Sequence, residues 1–212
     1  MREIRIKDTL FAHAQYSTDF QKSKYIKWNR NSNDKFITFY TDNSLQQVEN
    51  DVKYKIAWLL ESPEITKNSY RWIENNNYKF DKVFTHSKKL LDKGENYIFS
   101  PTGGCWIKPE DQKIWEKSKI VSIISSQKKI TYGHRLRHNI ISNNKNIDVF
   151  GRGYNPIEYK LLGLKDYMFS ITIENCREDY YFSEKLIDCF QTGTVPIYWG
   201  CPSIGKFLMK KE

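Results

Sequence analysis

The sequence predicts an α/β protein built on two doubly wound parallel sheets. Short apolar segments alternate with amphipathic and polar ones along its 212 residues, which is the pattern of repeated strand–helix units. A charged, proline-bearing stretch at residues 108–119 separates two such series and predicts a hinge or a linker helix. The chain is long enough for two small α/β domains, which we place at residues 1–113 and 114–212.

The first series contains five predicted strands and two predicted helices. The strands are expected at residues 4–11, 36–40, 54–60, 82–85 and 97–100. The helices are expected at residues 69–74 and 88–91. Alternation of this kind indicates one parallel sheet flanked by helices.

The second series opens with the apolar run IVSIIS at residues 120–125, which is typical of a buried parallel strand. Further strands are predicted at residues 147–150, 167–173 and 195–199, and helices at 131–142, 157–162, 183–191 and from 203 onward. Ligands of open α/β sheets bind at the carboxyl ends of the strands. Functional loops are therefore expected after Ile124, Phe150, Ile173 and Trp199. The chain ends inside the last predicted helix, so the fold is either minimal or, as we expect, truncated in its C-terminal domain.

The composition limits the classes of function. A formal net charge of +9 favours an anionic partner, such as a phosphorylated small molecule, nucleic acid or an acidic membrane surface. The basic residues are spread along the chain without interleaved aromatic patches, so no nucleic-acid partner is predicted, and peripheral membrane association stays open. The N-terminus has no signal-peptide pattern, and no apolar run reaches the roughly 18 residues of a membrane span. We therefore expect a soluble, cytoplasmic protein, and its enrichment in Lys, Asn and Ile indicates a bacterial or viral source.

The cysteines and histidines do not predict a metal site. The four cysteines form no CxxC pair, which argues against zinc and favours small core residues with reduced thiols. His134 and His138 would share one helix face, but no third ligand stands at a suitable spacing. The glycine-bearing segments at residues 101–106 and 150–156 are interpreted as turns.

The most informative stretch is FSITIENCREDYYFSEKLIDCFQTGTVPIYWGCPSI, at residues 169–204. A buried strand is predicted to end at Ile173, and polar residues follow at once. A helix begins near Ser183, which is the expected N-cap residue. The predicted buried face of that helix consists of Leu186, Ile187 and Phe190.

Lys185 falls in the first turn of this helix, where the helix dipole disfavours a cation. One interpretation is an anion shared between Lys185 and the free N–H groups of the first turn, which is how helix N-termini hold phosphate. The other is a solvated lysine paired with Glu184 or Asp188. The residue pattern alone leaves both open.

The same stretch resembles the donor-binding motif of the glycosyltransferase family 10 α-1,3/1,4-fucosyltransferases. That motif has a strand ending in Phe-Glu-Asn, a polar loop, Tyr-x-Thr/Ser-Glu-Lys opening a helix, a small-residue turn, Val/Ile-Pro-Ile/Val and often Gly-x-Pro-Ser. The matching residues here are Ile173-Glu174-Asn175, Tyr181-Phe182-Ser183-Glu184-Lys185, Gly193, Val195-Pro196-Ile197 and Gly200-Cys201-Pro202-Ser203. Ile173 replaces the usual aromatic residue.

Two upstream segments resemble other parts of the family. Residues 124–140 are similar to the strand, loop and helix that carry an arginine for the donor phosphates; Arg135 is the better match and Arg137 an alternative. Residues 58–64, WLLESPE, resemble the Glu-Ser-Pro segment of the acceptor half. Some bacterial members have a further Glu two residues earlier, where Leu59 stands here. The general base would then be Glu61, unless Glu61 only terminates a strand.

The resemblance implies a GT-B-like architecture, with two Rossmann-like domains facing a cleft. It implies inverting transfer of fucose from GDP-fucose to a hydroxyl of a glycan acceptor, α-1,3 to N-acetylglucosamine, in protein glycosylation or lipopolysaccharide. No metal or other cofactor is implied. The partners are a nucleotide-sugar donor and a glycan acceptor; the oligomeric state stays open.

The resemblance also implies roles for single residues. Glu61 would be the general base, and Glu174 and Asn175 would face the fucose. Arg135 and Lys185 would hold the diphosphate, and Glu184 the ribose hydroxyls. The full donor-binding set would be Arg135, Asn175, Tyr181, Ser183, Glu184 and Lys185. Two alternatives remain: the same fold acting on a different nucleotide sugar, and a non-catalytic remnant that binds a nucleotide sugar or glycan.

Overall fold

A computed structural model of the chain describes residues 2–9 and 25–208. These residues form two compact units. Unit 1 comprises the described residues up to Thr102 together with Asp179–Tyr181, and unit 2 comprises Gly103–Glu178 and the described residues from Phe182 onward. The domain boundary that the sequence predicts between residues 113 and 114 stays a prediction.

Unit 1 contains a six-stranded, entirely parallel sheet of order β2-β1-β3-β4-β5-β6. Its strands are β1 (Arg2–Lys7), β2 (Ile26–Asn29), β3 (Ile37–Thr41), β4 (Tyr54–Trp58), β5 (Lys82–Thr85) and β6 (Tyr97–Phe99). Its α-helices are α1 (Lys67–Asn76) and α2 (Lys88–Leu91). The core forms where Ile73 of α1 and Leu90 of α2 pack with Ala57 and Val83 from the sheet.

Unit 2 contains a four-stranded parallel sheet of order β10-β9-β7-β8. Its strands are β7 (Lys119–Ile124), β8 (Asp148–Phe150), β9 (Tyr167–Ile173) and β10 (Val195–Trp199). Its α-helices are α3 (Tyr132–Asn143) and α4 (Glu184–Gln191). The chain runs from β7 to β8 on one side and then to β9 and β10 on the other, so the strand order reverses between β7 and β9. Such a switch point is where doubly wound sheets bind ligands.

Several local predictions are confirmed in unit 2. Ser183 is the N-cap of α4, and its side chain accepts a hydrogen bond from the backbone N–H of Lys185. The strands at β9 and β10 have the predicted limits. All four cysteines are buried thiols, as expected for small core residues.

The sequence predicted a hinge or a linker helix at residues 108–119, and the prediction of a helix is wrong. The segment contains one 3₁₀ turn, Pro109–Asp111, and is otherwise irregular until β7 begins. Its side chains bind other parts of unit 2 instead of forming one helix face. Trp115 packs against the core of unit 2, and the Lys117 ammonium donates to the carbonyl oxygens of Lys165 at 2.9 Å and Thr192 at 2.8 Å.

Three helix predictions also need correction. The helix expected at residues 157–162 is a 3₁₀ helix at Lys160–Gly163, and the described residues after 203 contain a 3₁₀ helix at Ile204–Lys206. In α4, Phe190 is 43% exposed, whereas Asp188 is buried with Leu186 and Cys189. Asp188 can occupy this core position because it accepts a hydrogen bond from the backbone N–H of Trp106 at 2.6 Å and pairs with Lys160.

The sequence pattern missed three elements of unit 1, among them a 3₁₀ helix at Asn77–Lys79, and ran past the end of a fourth. Strand β2 is a four-residue edge strand, too short for a clear alternation, and a 3₁₀ helix occupies Asp42–Gln47. The strand predicted at residues 4–11 ends at Lys7, and residues 10 and 11 lie outside the described residues. Within the described ranges, none of the helices has the length and apolar character needed to cross a bilayer.

Candidate functional site

Unit 2 has a cavity of about 320 Å³ at the carboxyl ends of β7 and β9, the switch point of its sheet. Loop residues after β7 and β8, the end of β9 and the first turns of α4 line it. Its charged lining consists of Arg137, Arg152, Glu158, Lys160, Glu184, Lys185 and Asp188. Three of the four loops that the sequence assigned to function contribute to this lining or adjoin it; the loop after Trp199 does not. The volume lies within the range of about 300–1,000 Å³ that is usual for small-molecule sites.

The start of α4 is fixed by a buried carboxylate. Glu174 follows β9 directly, its residue surface is 0% exposed, and it accepts hydrogen bonds from the Ser183 N–H at 2.8 Å and the Ser183 hydroxyl at 2.6 Å. Glu174 therefore joins the end of β9 to the N-cap of α4. Contact between Glu174 and the sugar stays a prediction, and the burial of the carboxylate argues against it.

Lys185 pairs with acidic side chains, as one of the two sequence interpretations expected, and anion binding at Lys185 stays a prediction. Its ammonium lies 3.0 Å from the Ser183 hydroxyl, 3.5 Å from Glu184 and 3.6 Å from Glu174, and the side chain also lines the cavity. Burial disfavours the charged form, but the carboxylates of Glu184 and Glu174 outweigh burial and raise the pKa of Lys185. The neighbouring acids offset the unfavourable helix dipole and keep a cation at the cavity wall.

Lys160 is a cavity residue that sequence reasoning missed. Its ammonium lies 2.9 Å from Glu184 and 3.1 Å from Asp188. Burial opposes its charge, but the two acids raise the pKa of Lys160. Conversely, burial alone would raise the pKa of Glu184, whereas Lys160 and Lys185 lower it, so Glu184 stays ionised. No local signal marks Lys160, because its segment was predicted only as a helix and its partners lie elsewhere in the sequence.

The two candidate arginines of α3 lie in different places. Arg137 is buried, lines the cavity, and donates from Nη2 to the Asn175 side-chain oxygen at 2.8 Å. Arg135 is exposed, donates to the carbonyl oxygens of Lys129 and Ile130, and is not among the residues that line the cavity. The structure therefore brings Asn175, Arg137 and Lys185 together and leaves Arg135 outside.

The two histidines of α3 lie near the cavity and bind neighbouring hydroxyl groups. Burial, followed by the charges of Arg137, Lys128 and Lys185, lowers the pKa of His134 to about 4, so its imidazole is neutral at pH 7. His134 Nδ1 lies 2.6 Å from the Thr131 hydroxyl, and His138 Nδ1 lies 2.8 Å from the Tyr154 hydroxyl. Both rings thus have hydrogen-bond partners of their own, and residues 2–9 and 25–208 contain no group of three metal-ligating side chains.

Glu61 and Tyr181 meet in unit 1. Glu61 follows β4, and its Oε1 accepts hydrogen bonds from the Ser62 N–H at 2.7 Å and the Tyr181 hydroxyl at 3.2 Å. The Tyr181 ring packs on His86, with centroids 4.9 Å apart. Tyr181 is not among the residues that line the cavity of unit 2, and its role in donor binding stays a prediction.

Comparison with known proteins gives three findings. Residues 114–208 match the family model described as "Glycosyltransferase family 10 (fucosyltransferase) C-term". The curated Alpha-(1,3)-fucosyltransferase FucT of Helicobacter pylori is 43% identical over 54 residues, which cover 26% of this chain and 11% of that protein. A solved structure titled "Crystal Structure of alpha1,3-Fucosyltransferase" superposes with a TM-score of 0.55 at 19% identity, covering 85% of this chain and 61% of the other.

The fold and the comparisons define the class of the protein. Two parallel α/β sheets and the structural likeness show the GT-B-like fold that the sequence predicted. Residues 114–208, slightly less than half of the chain, are similar to the C-terminal part of glycosyltransferase family 10. It spans 61% of the length of the solved relative and 11% of the curated one.

Proposed function

We propose that this chain is an inverting fucosyltransferase that transfers fucose from GDP-fucose to a hydroxyl of a glycan acceptor, α-1,3 to N-acetylglucosamine. One observation carries the proposal. A segment similar to family 10 forms a cavity at the switch point of a parallel sheet, and, among the described residues, Arg137 and Lys185 are two of the four cations that line that cavity. This is the place and the charge that a nucleoside diphosphate requires.

The leaving group accounts for the two cations. Cleavage of the bond between fucose and the diphosphate develops negative charge on the diphosphate oxygens and positive charge on the sugar. Arg137 offers a planar fork of donors and Lys185 a compact point charge, so together they stabilise the departing diphosphate. These fixed charges supply the stabilisation by themselves, and we propose no metal or other cofactor.

The remaining lining suits the nucleotide part of the donor. Glu184 is ionised and lines the cavity, so its carboxylate can accept hydrogen bonds from ribose hydroxyls. Its partners Lys160 and Lys185 fix its position. Apolar side chains, including Ile157 and Ile171, provide surface for the base. We place Arg137, in preference to Arg135, at the phosphates.

Inversion requires the acceptor oxygen to attack from the face opposite the diphosphate while a general base removes its proton. We assign that base to Glu61. Its carboxylate already accepts two hydrogen bonds, from the Ser62 N–H and the Tyr181 hydroxyl, so it is held in one orientation. A fixed carboxylate loses little freedom when an acceptor hydroxyl binds.

Calorimetric titration of the full chain with GDP-fucose, GDP-mannose and UDP-sugars tests the donor. We expect GDP-fucose to bind most tightly. Equal affinity for GDP- and UDP-sugars would contradict the donor assignment. Donor binding without transfer to any of a panel of glycans containing N-acetylglucosamine would contradict transfer and support a binding remnant.

Glu61→Gln tests the base. The amide keeps the size of the carboxylate but cannot accept the proton, so we expect transfer to fall by about 10²- to 10⁴-fold with unchanged affinity for GDP-fucose. The matched control is Glu64→Gln, at an exposed position of the same loop, which should retain activity. Full activity in Glu61→Gln would show that another group is the base.

A further inference from the structure

Backbone strain in unit 1 occurs at or next to two residues that hydrogen-bond with Glu61, namely Asp42 and Tyr181. Among residues 2–9 and 25–208, the non-glycine residues with positive φ are Asp42, at 40°, and Tyr180, at 68°. Such backbone is energetically unfavourable for residues other than glycine and concentrates at functional sites. Asp42 follows β3 directly, and Tyr180 precedes Tyr181. The strain therefore lies where the chain presents the Asp42 carboxylate and the Tyr181 hydroxyl to the same glutamate.

Asp42 binds Glu61 through the backbone. Its Oδ1 accepts hydrogen bonds from the N–H groups of Leu60 and Glu61, at 3.2 Å each. The residue is 1% exposed, and burial raises the pKa of its carboxyl to about 7. An ionisable group in such a place destabilises the fold at neutral pH. A function for the carboxylate would explain this cost.

A closed ring of contacts binds Glu61 from the other side. The Tyr70 hydroxyl donates to the Glu61 carbonyl oxygen at 2.9 Å and lies 3.1 Å from His86 Nε2. Because that hydroxyl has one proton, the hydrogen-bond network assigns a proton to Nε2 of His86. Burial lowers the pKa of His86 to about 3, so its imidazole is neutral. This imidazole packs against the aromatic ring of Tyr181, and the Tyr181 hydroxyl donates to Glu61 Oε1, which completes the cycle of contacts.

We propose that Asp42 and Tyr181 are positioning residues for Glu61, Asp42 through the backbone amide and Tyr181 through the carboxylate. The inference rests on the proposed function, because it takes Glu61 as the general base. Displacement of a reacting group by about 1 Å can reduce the rate about 10²-fold, so rigid support on both sides of Glu61 has catalytic value. Neither residue needs to touch the sugar for this role.

Tyr181→Phe tests the contact to the carboxylate. Phenylalanine keeps the ring against His86 and removes only the hydroxyl. We expect kcat to fall about 10-fold, with unchanged acceptor KM and unchanged Kd for GDP-fucose. Tyr78→Phe, at a side chain that is 75% exposed, is the matched control and should keep the wild-type kcat. A rise in the donor Kd with unchanged kcat would overturn the positioning role and assign Tyr181 to donor binding.

Two substitutions at Asp42 distinguish the effect of losing its hydrogen-bond acceptor from the effect of changing its backbone conformation. Glycine tolerates positive φ and removes the acceptor, whereas asparagine tolerates positive φ and keeps Oδ1. We expect Asp42→Gly to lower kcat about 10-fold or more with unchanged donor Kd, and Asp42→Asn to stay within about threefold of the wild type. Equal losses in both variants would overturn the role of the acceptor.

Amide hydrogen exchange gives a readout that does not need turnover. Without the Asp42 acceptor, the amides of Leu60 and Glu61 should exchange faster in Asp42→Gly but not in Asp42→Asn. Unchanged exchange in Asp42→Gly would overturn the inference even if Glu61 is the base. Full transfer activity in Glu61→Gln would instead refute the proposed base, while the exchange data still decide whether Asp42 holds this segment.

Discussion

At the scale of single residues, α3 shows how two nearby arginines acquire different surroundings. Each helical residue turns the side-chain direction by about 100°, so Arg135 and Arg137 point to nearly opposite sides of the helix. Arg137 faces the end of β9, where it binds Asn175 beside the cavity. Arg135 turns back to the carbonyl oxygens of Lys129 and Ile130, which precede the helix.

Replacement of each arginine by alanine should separate their roles. In Arg137→Ala, we expect the Kd for GDP-fucose to rise about 10- to 100-fold, the usual effect of losing hydrogen bonds between charged groups. Arg135→Ala should change this Kd less than about threefold. Calorimetry at equal salt measures both, and thermal unfolding checks that Arg137→Ala, at a buried position, is still folded. A larger effect in Arg135→Ala would reverse the assignment.

Asp42 should give the protein a measurable pH dependence of stability. Its folded pKa of about 7 lies above the ordinary value of 3.8 because the carboxyl is buried. The unfolded chain therefore releases this proton at lower pH than the folded protein, so the contribution of Asp42 to stability falls as the pH rises from 3.8 to about 7. Asp42→Asn removes the titration.

Urea unfolding of the two proteins across this pH range measures the effect. We expect the free energy of unfolding of Asp42→Asn, minus that of the wild type, to increase as the pH rises. Because His86 titrates in the opposite sense and is present in both proteins, it cancels in the difference. A difference that is independent of pH would show that Asp42 titrates normally in the folded state.

At the scale of elements, the start of α3 lies against the end of β9 with no room for a side chain. A Cβ added to Gly133 would lie 1.8 Å from the carbonyl oxygen of Glu174. The Gly133 N–H donates to the Asn175 carbonyl oxygen at 3.1 Å, so the close approach also makes a hydrogen bond. This contact sets the position of Arg137, which follows Gly133 by one helical turn.

Gly133→Ala should therefore disturb both the fold and the cavity. The methyl group meets backbone and not a flexible side chain, so we expect a loss of at least about 1–3 kcal/mol in the free energy of unfolding. Gly205→Ala is the matched control, since a Cβ at that position meets nothing within 4 Å. Urea denaturation measures both variants. Similar stabilities would show that α3 can move away from β9 at little cost.

At the scale of the whole molecule, the two units have separate sheets and separate cores, and the cavity belongs to unit 2. A ligand that binds the folded state stabilises it by about 2.7 kcal/mol at 100 times its Kd. GDP should thus slow amide exchange at the cavity walls, namely the end of β9, the loops after β7 and β8, and the first turns of α4. Protection confined to unit 1 would contradict the location of the donor site.

The sequence by itself determined the parallel α/β class and the N-cap of α4. Continuous apolar runs such as β9 are typical of strands in parallel sheets, and Ser183 stands before the helical pattern, so both signals are local. The similarity of residues 114–208 to family 10 was likewise visible in the motif at residues 169–204. Periodicity failed at Phe190, where burial depends on the partners of the helix and not on its own repeat.

Only the tertiary structure decided which charged groups share the cavity. It placed Arg137 and not Arg135 at the wall, paired Lys160 with Glu184 and Asp188, and buried Glu174 under Ser183. Each of these outcomes depends on which loops meet at the carboxyl ends of parallel strands. The partners are distant in sequence, so their charge and burial follow from the fold and cannot be read from local spacing.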